Sequence, residues 1–123
     1  MSTILAIDDD SRFLELLLEW LALNEFQSIG AEDGLMGLQL AQTQDPDLIL
    51  CDVRMPEFDG YQVLKALRRN PATQNIPFIF ITNEETDNHW RRARELGANG
   101  CLDKFSICKK LIHEIQENLP INA

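Results

Sequence analysis

The stretch Asp47-Leu48-Ile49-Leu50-Cys51-Asp52-Val53-Arg54-Met55-Pro56 decides the fold. Leu48, Ile49, Leu50 and Cys51 are apolar at consecutive positions, with no polar side to the run. A strand that reads this way is covered on both faces, the usual state of a parallel sheet flanked by helices. Asp52 stands at its carboxyl end, and ligand sites in open α/β sheets lie outside the carboxyl ends of strands, where strand order reverses. Taken alone, Asp52 reads first as an acid that caps a turn, and only its company changes that. A second apolar run, Ile4-Leu5-Ala6-Ile7, ends in Asp8-Asp9-Asp10, so two buried strands deliver carboxylates to one place. Asp10 or Ser11 suffices to cap a helix over residues 11–24, which leaves Asp8 and Asp9 with no capping duty.

Outward from these two runs, strand and helix alternate. Residues 26–31 read as a short strand, 34–44 as a helix stopped by Asp45-Pro46, and 61–70 as a helix stopped by Asn70-Pro71. Phe78-Ile79-Phe80-Ile81, introduced by Pro77, is a fourth strand with no polar face and ends at Thr82-Asn83-Glu84. A helix over 86–96 closes at Gly97; Gly100-Cys101-Leu102 then forms the last strand, running into Asp103-Lys104, and a helix over 106–118 follows. Five such alternations predict parallel strands joined by crossovers, with helices on both faces. In the helix over 11–24 the apolar positions from Phe13 to Leu23 cover an arc of roughly 220°, about twice what a core-facing helix needs. Phe13, Leu17, Trp20 and Leu21 mark its middle and are expected to face the core. Leu14 and Leu18 form a surplus margin that reads equally as deep burial against a neighbouring helix or as a partner-docking surface.

Length and composition bound the rest. A chain of 123 residues with 45% hydrophobic content suffices for one domain over residues 1–123, with a two-sided core and no metal or disulfide staples. The net charge of -9 disfavours nucleic acid as a direct partner, because a phosphate backbone demands a basic surface. That charge is uneven: residues 1–60 carry -11 and residues 61–123 carry +2. No apolar run approaches a membrane span, and no basic segment followed by a long apolar one opens the chain, so a cytoplasmic protein with no membrane partner is expected. Cys51, Cys101 and Cys108 form neither an even set nor a C-x-x-C pair, and read as reduced, small apolar residues. His89 and His113 lack metal-ligand spacing and read as helix-surface histidines.

Four strands therefore end in polar groups at one edge: Asp8 and Asp9, Asp52, Thr82, and Lys104. Two carboxylates about 4 Å apart repel by about 4 kcal/mol at an effective dielectric near 20, so three of them call for a cation. Oxygen-only ligands with room for water suit magnesium. Lys104 can balance charge and also contact a phosphoryl oxygen, as the Thr82 hydroxyl can by hydrogen bond.

Asp8-Asp9, Asp52 followed by Met55-Pro56 and Asp59-Gly60, Thr82 and Lys104 resemble the receiver domains of two-component response regulators, and the resemblance extends over residues 3–119. It implies a flavodoxin-like five-stranded parallel sheet in the order 2-1-3-4-5. It further implies Asp52 as phosphoacceptor, Asp8 and Asp9 as acids of a Mg²⁺ site that Arg54 completes through its backbone carbonyl, Thr82 as a switch hydroxyl and Lys104 as the phosphoryl contact. The implied role is that of a signalling domain whose only catalysis is its own phosphorylation and dephosphorylation. Its partners would be a sensor histidine kinase or phosphotransfer protein, and a downstream effector on the face of the fourth helix, last strand and fifth helix. There Arg91, Arg92, Arg94, Lys109 and Lys110 interrupt an acidic protein.

Two positions depart from the family pattern. Phe105 stands where a proline usually follows the lysine, which demands either a costly non-proline cis bond or a reshaped loop. Cys101 stands where the family usually has an aromatic, so the usual threonine-to-aromatic relay cannot operate as such. Arg54 and Glu84 flank the expected water path and, as a charge-assisted pair, would shield an acyl phosphate, the alternative being that Glu84 orients the attacking water. Two other classes compete. A metal-dependent phosphotransferase of the haloacid-dehalogenase type would have a second Asp two residues after the nucleophile, where this chain has Arg54. A receiver-like module that never needs phosphate is suggested by Phe105 and Cys101 and opposed by the complete acid, threonine and lysine set.

Overall fold

The computed structural model describes residues 2–83, 87–104 and 107–119, and, within those, not the side chains of residues 87 and 107–110. Strands and helices alternate as β1 (Thr3–Ile7), α1 (Ser11–Leu23), β2 (Gln27–Ala31), α2 (Gly34–Gln44), β3 (Leu48–Cys51), α3 (Gly60–Arg69), β4 (Phe78–Thr82), α4 (Asp87–Glu95), β5 (Gly100–Asp103) and α5 (Ile107–Asn118). All strand pairings are parallel, and the sheet runs β2-β1-β3-β4-β5. The order reverses between β1 and β3. Their register pairs Ile7 with Cys51, so the next residues, Asp8 and Asp52, leave the sheet side by side.

Strand alternation sorts the side chains into two apolar layers. Leu5, Ile7, Ile49, Cys51, Phe78 and Phe80 face Ala41 of α2, Val63, Leu64 and Leu67 of α3, and Ala93 of α4. Ile4, Ala6, Leu48, Leu50, Ile79, Ile81 and Leu102 face Leu14, Leu17 and Leu21 of α1, and Leu111 and Ile115 of α5. Every residue of β3 and of β4 is buried, which is why both read as unbroken apolar runs.

The helix boundaries follow local chemistry. Asp10 caps α1 by accepting from the amides of Arg12 and Phe13, Asp33 caps α2, and Asp59 closes a capping box with Gln62 on α3. After α1 the chain reverses through Glu25 at φ 67°, and the Phe26 amide returns to the Leu21 carbonyl, so β2 begins at Gln27, one residue later than periodicity suggests. Gly97, at φ 101°, ends the turn after α4. Thr86 and Ser106, the expected first residues of the last two helices, lie outside the described residues. Among the described residues no helix is long and apolar enough to cross a membrane.

The apolar stripe of α1 is rotated from the expected one. Leu14 is buried, not surplus, whereas Phe13 and Trp20 are only half-buried. The cause is Gly30 in β2: a Cβ there would come within 2.9 Å of Leu18 Cδ1 and 3.5 Å of Leu14 Cδ2, so its absence lets both leucines lie over the edge of the sheet. The surplus falls to Leu16 and Leu23, exposed at 64% and 83%. A groove of about 360 Å³ between α1 and α5 is lined by Phe13, Leu16, Trp20, Leu23 and Leu111. Urea unfolding checks this rotation: Leu17→Ala should cost about 2–5 kcal/mol, while Leu16→Gln should stay within about 0.5 kcal/mol of wild type. Comparable losses in both would contradict it.

Candidate functional site

The site begins with two backbone anchors. The Asp8 amide donates to the Ala31 carbonyl of β2 at 3.0 Å, and the Asp52 amide donates to the Ile7 carbonyl of β1 at 2.9 Å. Both carboxylates are thereby fixed at the same sheet edge, 2% and 8% exposed. Each then divides its two oxygens in the same way. Asp8 Oδ1 accepts from the Asp10 amide at 2.9 Å and Asp52 Oδ1 from the Val53 amide at 2.8 Å. The Oδ2 atoms of both face Lys104 Nζ, at 2.8 Å and 3.3 Å respectively. Asp9 is exposed beside them, and ligand oxygens of Asp8, Asp9 and Asp52 all lie within 4.8 Å of one another.

The loop after β3 holds Asp52 from the other side. Met55 is buried, the Gly60 amide donates back to the Val53 carbonyl at 2.9 Å, and a Cβ on Gly60 would sit 2.2 Å from the Asp52 carbonyl oxygen. Only glycine permits that approach, which accounts for Gly60 following Asp59. Thr82 is buried at the end of β4, opposite Asp103 of β5, and Lys104 follows directly. The Lys104 ammonium also lies 4.5 Å from the centroid of the Phe13 ring, so α1 screens the far side of the cation.

Electrostatics reflect the shortage of positive charge. Burial, with the Asp8 charge beside it, pushes Asp52 from 3.8 up to about 6, although Lys104 and the Val53 amide pull the other way. Asp8 is also raised, again by burial first, against the Lys104 and Asp10 bonds. For Lys104, burial works against the charge, but its bond to Asp8 and the nearby Asp52 charge prevail and raise its pKa. One ammonium thus pairs with two of the three acids, Asp8 and Asp52, and the oxygen-only donor set of Asp8, Asp9 and Asp52 fits a hard divalent cation such as Mg²⁺.

The sequence-predicted residues Asp8, Asp9, Asp52 and Lys104 are brought together, and Thr82 stands on the neighbouring strand end. Arg54 is exposed and lines a cleft of about 410 Å³ with Asp59, Tyr61, Asn88, His89 and Arg92. Its expected partner Glu84 lies outside the described residues, as does Phe105, so the loop expected after Lys104 lies outside them too, at residues 105–106. Arg91, Arg92 and Arg94 are exposed along α4, with Arg92 stacked 4.0 Å from the Tyr61 ring centroid; the side chains of Lys109 and Lys110 lie outside the described residues.

His89 corrects the surface reading: it is 8% exposed, whereas the His113 side chain is 71% exposed. Its Nδ1 is hydrogen-bonded to the Tyr61 hydroxyl and its Nε2 lies 3.1 Å from Cys101 Sγ. The spacing of His89, Ala93 and Leu96 at i, i+4 and i+7 carries this signal, because it places the imidazole on the buried stripe of α4.

Comparison with known proteins agrees with this geometry. Residues 4–116 match the family model described as the response regulator receiver domain. The probable chemotaxis protein CheY of Rhizobium etli is 36% identical over 108 residues, 86% of this chain and 84% of that one. A probable cyclic di-GMP phosphodiesterase of Vibrio cholerae is 33% identical over 119 residues, 94% of this chain, which spans only 27% of that longer protein. The structure of the chemotaxis protein CheY4 of Vibrio cholerae superposes with a TM-score of 0.91 at 28% identity, covering 97% of this chain and 99% of that one.

The raised Asp52 pKa has a definite sign. Above about pH 6 the folded state holds a carboxylate it would sooner protonate, and that cost is relieved as pH falls through 6 toward 3.8. In metal-free protein near pH 7.5, Asp52→Asn should therefore stabilise the fold by about 2 kcal/mol, roughly 8 °C in Tm, with the gain shrinking toward pH 4. Thermal melts across pH check this; destabilisation near pH 7.5 would contradict it.

Proposed function

The chain belongs to the response regulator receiver domains, and on that premise we propose that it acts as a single receiver unit over residues 1–123, phosphorylated on Asp52. The donor is the phosphohistidine of a sensor histidine kinase or phosphotransfer protein. One observation carries the assignment: Lys104 Nζ bonds Asp8 and Asp52 together at 2.8 Å and 3.3 Å, which puts a cation where a phosphoryl group attached to Asp52 would present its oxygens.

At neutral pH Asp52, with its pKa near 6, is mainly ionised and can act as a nucleophile. Its oxygen attacks phosphorus in line, an acyl phosphate bond forms, and the P–N bond of the phosphohistidine breaks. Lys104 then shifts its contact from carboxylate to phosphoryl oxygen and holds the new charge. Asp8, Asp9, Asp52 and the Arg54 carbonyl would hold Mg²⁺, which when bound neutralises charge on the transferring group. Thr82, buried one strand away, supplies a hydroxyl to the phosphoryl oxygens, and the movement biases the face built from α4, β5 and α5. Exposed Arg91, Arg92 and Arg94 make that face attractive to an acidic effector surface.

Intact mass after incubation with Mg²⁺ and a small acyl phosphate donor tests this reading. Wild type should gain one phosphoryl group, Asp52→Asn none, and Lys104→Ala should label on the order of 100-fold more slowly. Wild-type labelling of the Asp52→Asn variant, or no labelling of wild type, would sink the assignment.

A further inference from the structure

The hydrogen-bonded chain of Tyr61, His89 and Cys101, its first two members buried, has no part in phosphoryl transfer. It links α3, α4 and β5: the Tyr61 hydroxyl meets His89 Nδ1, and His89 Nε2 meets Cys101 Sγ at 3.1 Å. Phe80 of β4 closes the back of the imidazole, its ring centroid 5.6 Å away, so the histidine is fixed by packing as well as by bonds. Cys101 itself is partly exposed, and His89, Tyr61 and Arg92 border the 410 Å³ cleft next to the site. Cys51 is the contrast: it is fully buried, and burial together with the Asp52 and Asp8 charges pushes its thiol well up.

We propose that Cys101 is a peroxide-reactive thiol, held ready by His89, and that the outer edge of β5 is a site of reversible thiol oxidation. A thiolate is the reactive form of cysteine, and an adjacent imidazolium favours it. When the Cys101 proton moves to His89, both ring nitrogens donate: Nε2–H to the thiolate and Nδ1–H to the Tyr61 oxygen. Tyr61 thus gives the charged imidazole a partner on its far side. The other cation on the Tyr61 face is Arg92, 4.0 Å from the ring centroid, which opposes a second positive charge. Arg92 is exposed and screened, whereas the histidine and thiol are in direct contact, so the pair prevails.

The reaction with a hydroperoxide balances without a further reactant. The thiolate sulfur attacks one peroxide oxygen and forms an S–O bond as the O–O bond breaks. The departing oxygen takes the Nε2 proton of His89 and leaves as water or alcohol. Sulfur is oxidised by two electrons to the sulfenic acid, which a thiol can reverse.

Iodoacetamide labelling of the full chain across pH, quantified at Cys101 and Cys51 by peptide mass, tests the proposal. The Cys101 rate should titrate with a midpoint below the usual value of about 8.5, and near pH 7 should exceed that of an ordinary exposed thiol by about fivefold, the gain in thiolate outweighing its lower intrinsic nucleophilicity. Cys51 should stay unlabelled in folded protein. In His89→Gln the Cys101 midpoint should return to the usual value. Treatment with hydrogen peroxide followed by dimedone should place an adduct on Cys101 in wild type and lose it in Cys101→Ser. A wild-type midpoint at or above the usual value, or no dimedone adduct on Cys101, would overturn the proposal even if His89→Gln failed to fold.

Discussion

Lys104 shares a single ammonium between two buried carboxylates, and most of the molecule serves to keep those three groups where they are. Asp8 and Asp52 approach because Ile7 and Cys51 are register partners in adjacent parallel strands. Lys104 reaches them because β5 lies beyond β4 on the same sheet, with its end level with Thr82. Neither acid can move away, since each has one oxygen tied to a backbone amide in its own loop. The result is a site with excess negative charge built into a rigid frame. Lys104, bonded to both acids, and the exposure of Asp9 to water limit the cost of that charge.

The frame pays for this strain through its two apolar layers. Phe78, Phe80 and Ile49 on one side, and Ile4, Leu48 and Ile79 on the other, are wholly removed from water, each worth roughly 1.5–3 kcal/mol. Raised carboxylate pKa values at strand ends are then a local cost that the buried strands offset. Such a cost suits a signalling domain, because an added cation that relieves it gains free energy that can favour one shape over another.

Much of this was legible in the sequence because its signals are local. Continuous apolar runs mark strands buried on both faces, and an acid or lysine immediately after such a run can only emerge at the sheet edge. Asp8, Asp9, Asp52, Thr82 and Lys104 were identifiable for that reason. What depends on contact between distant segments was not. The stripe of α1 rotated because Gly30, on another element, leaves room for Leu14 and Leu18. His89 taken alone reads as a surface residue, and only its spacing with Ala93 and Leu96 places it on the buried stripe of α4. It is buried because Tyr61 and Cys101, 28 and 12 residues away, satisfy both its nitrogens. Cys101 likewise stood out only as a missing aromatic, although the structure gives it a specific neighbour.

Three carboxylates at one sheet edge are short of a cation. Calorimetric titration of the unphosphorylated protein with Mg²⁺ tests it most directly. One ion should bind per chain, with affinity lost in Asp9→Asn by roughly tenfold or more, since that change removes an exposed ligand without disturbing the Lys104 bonds. No binding to wild type, or equal affinity in Asp9→Asn, would contradict it.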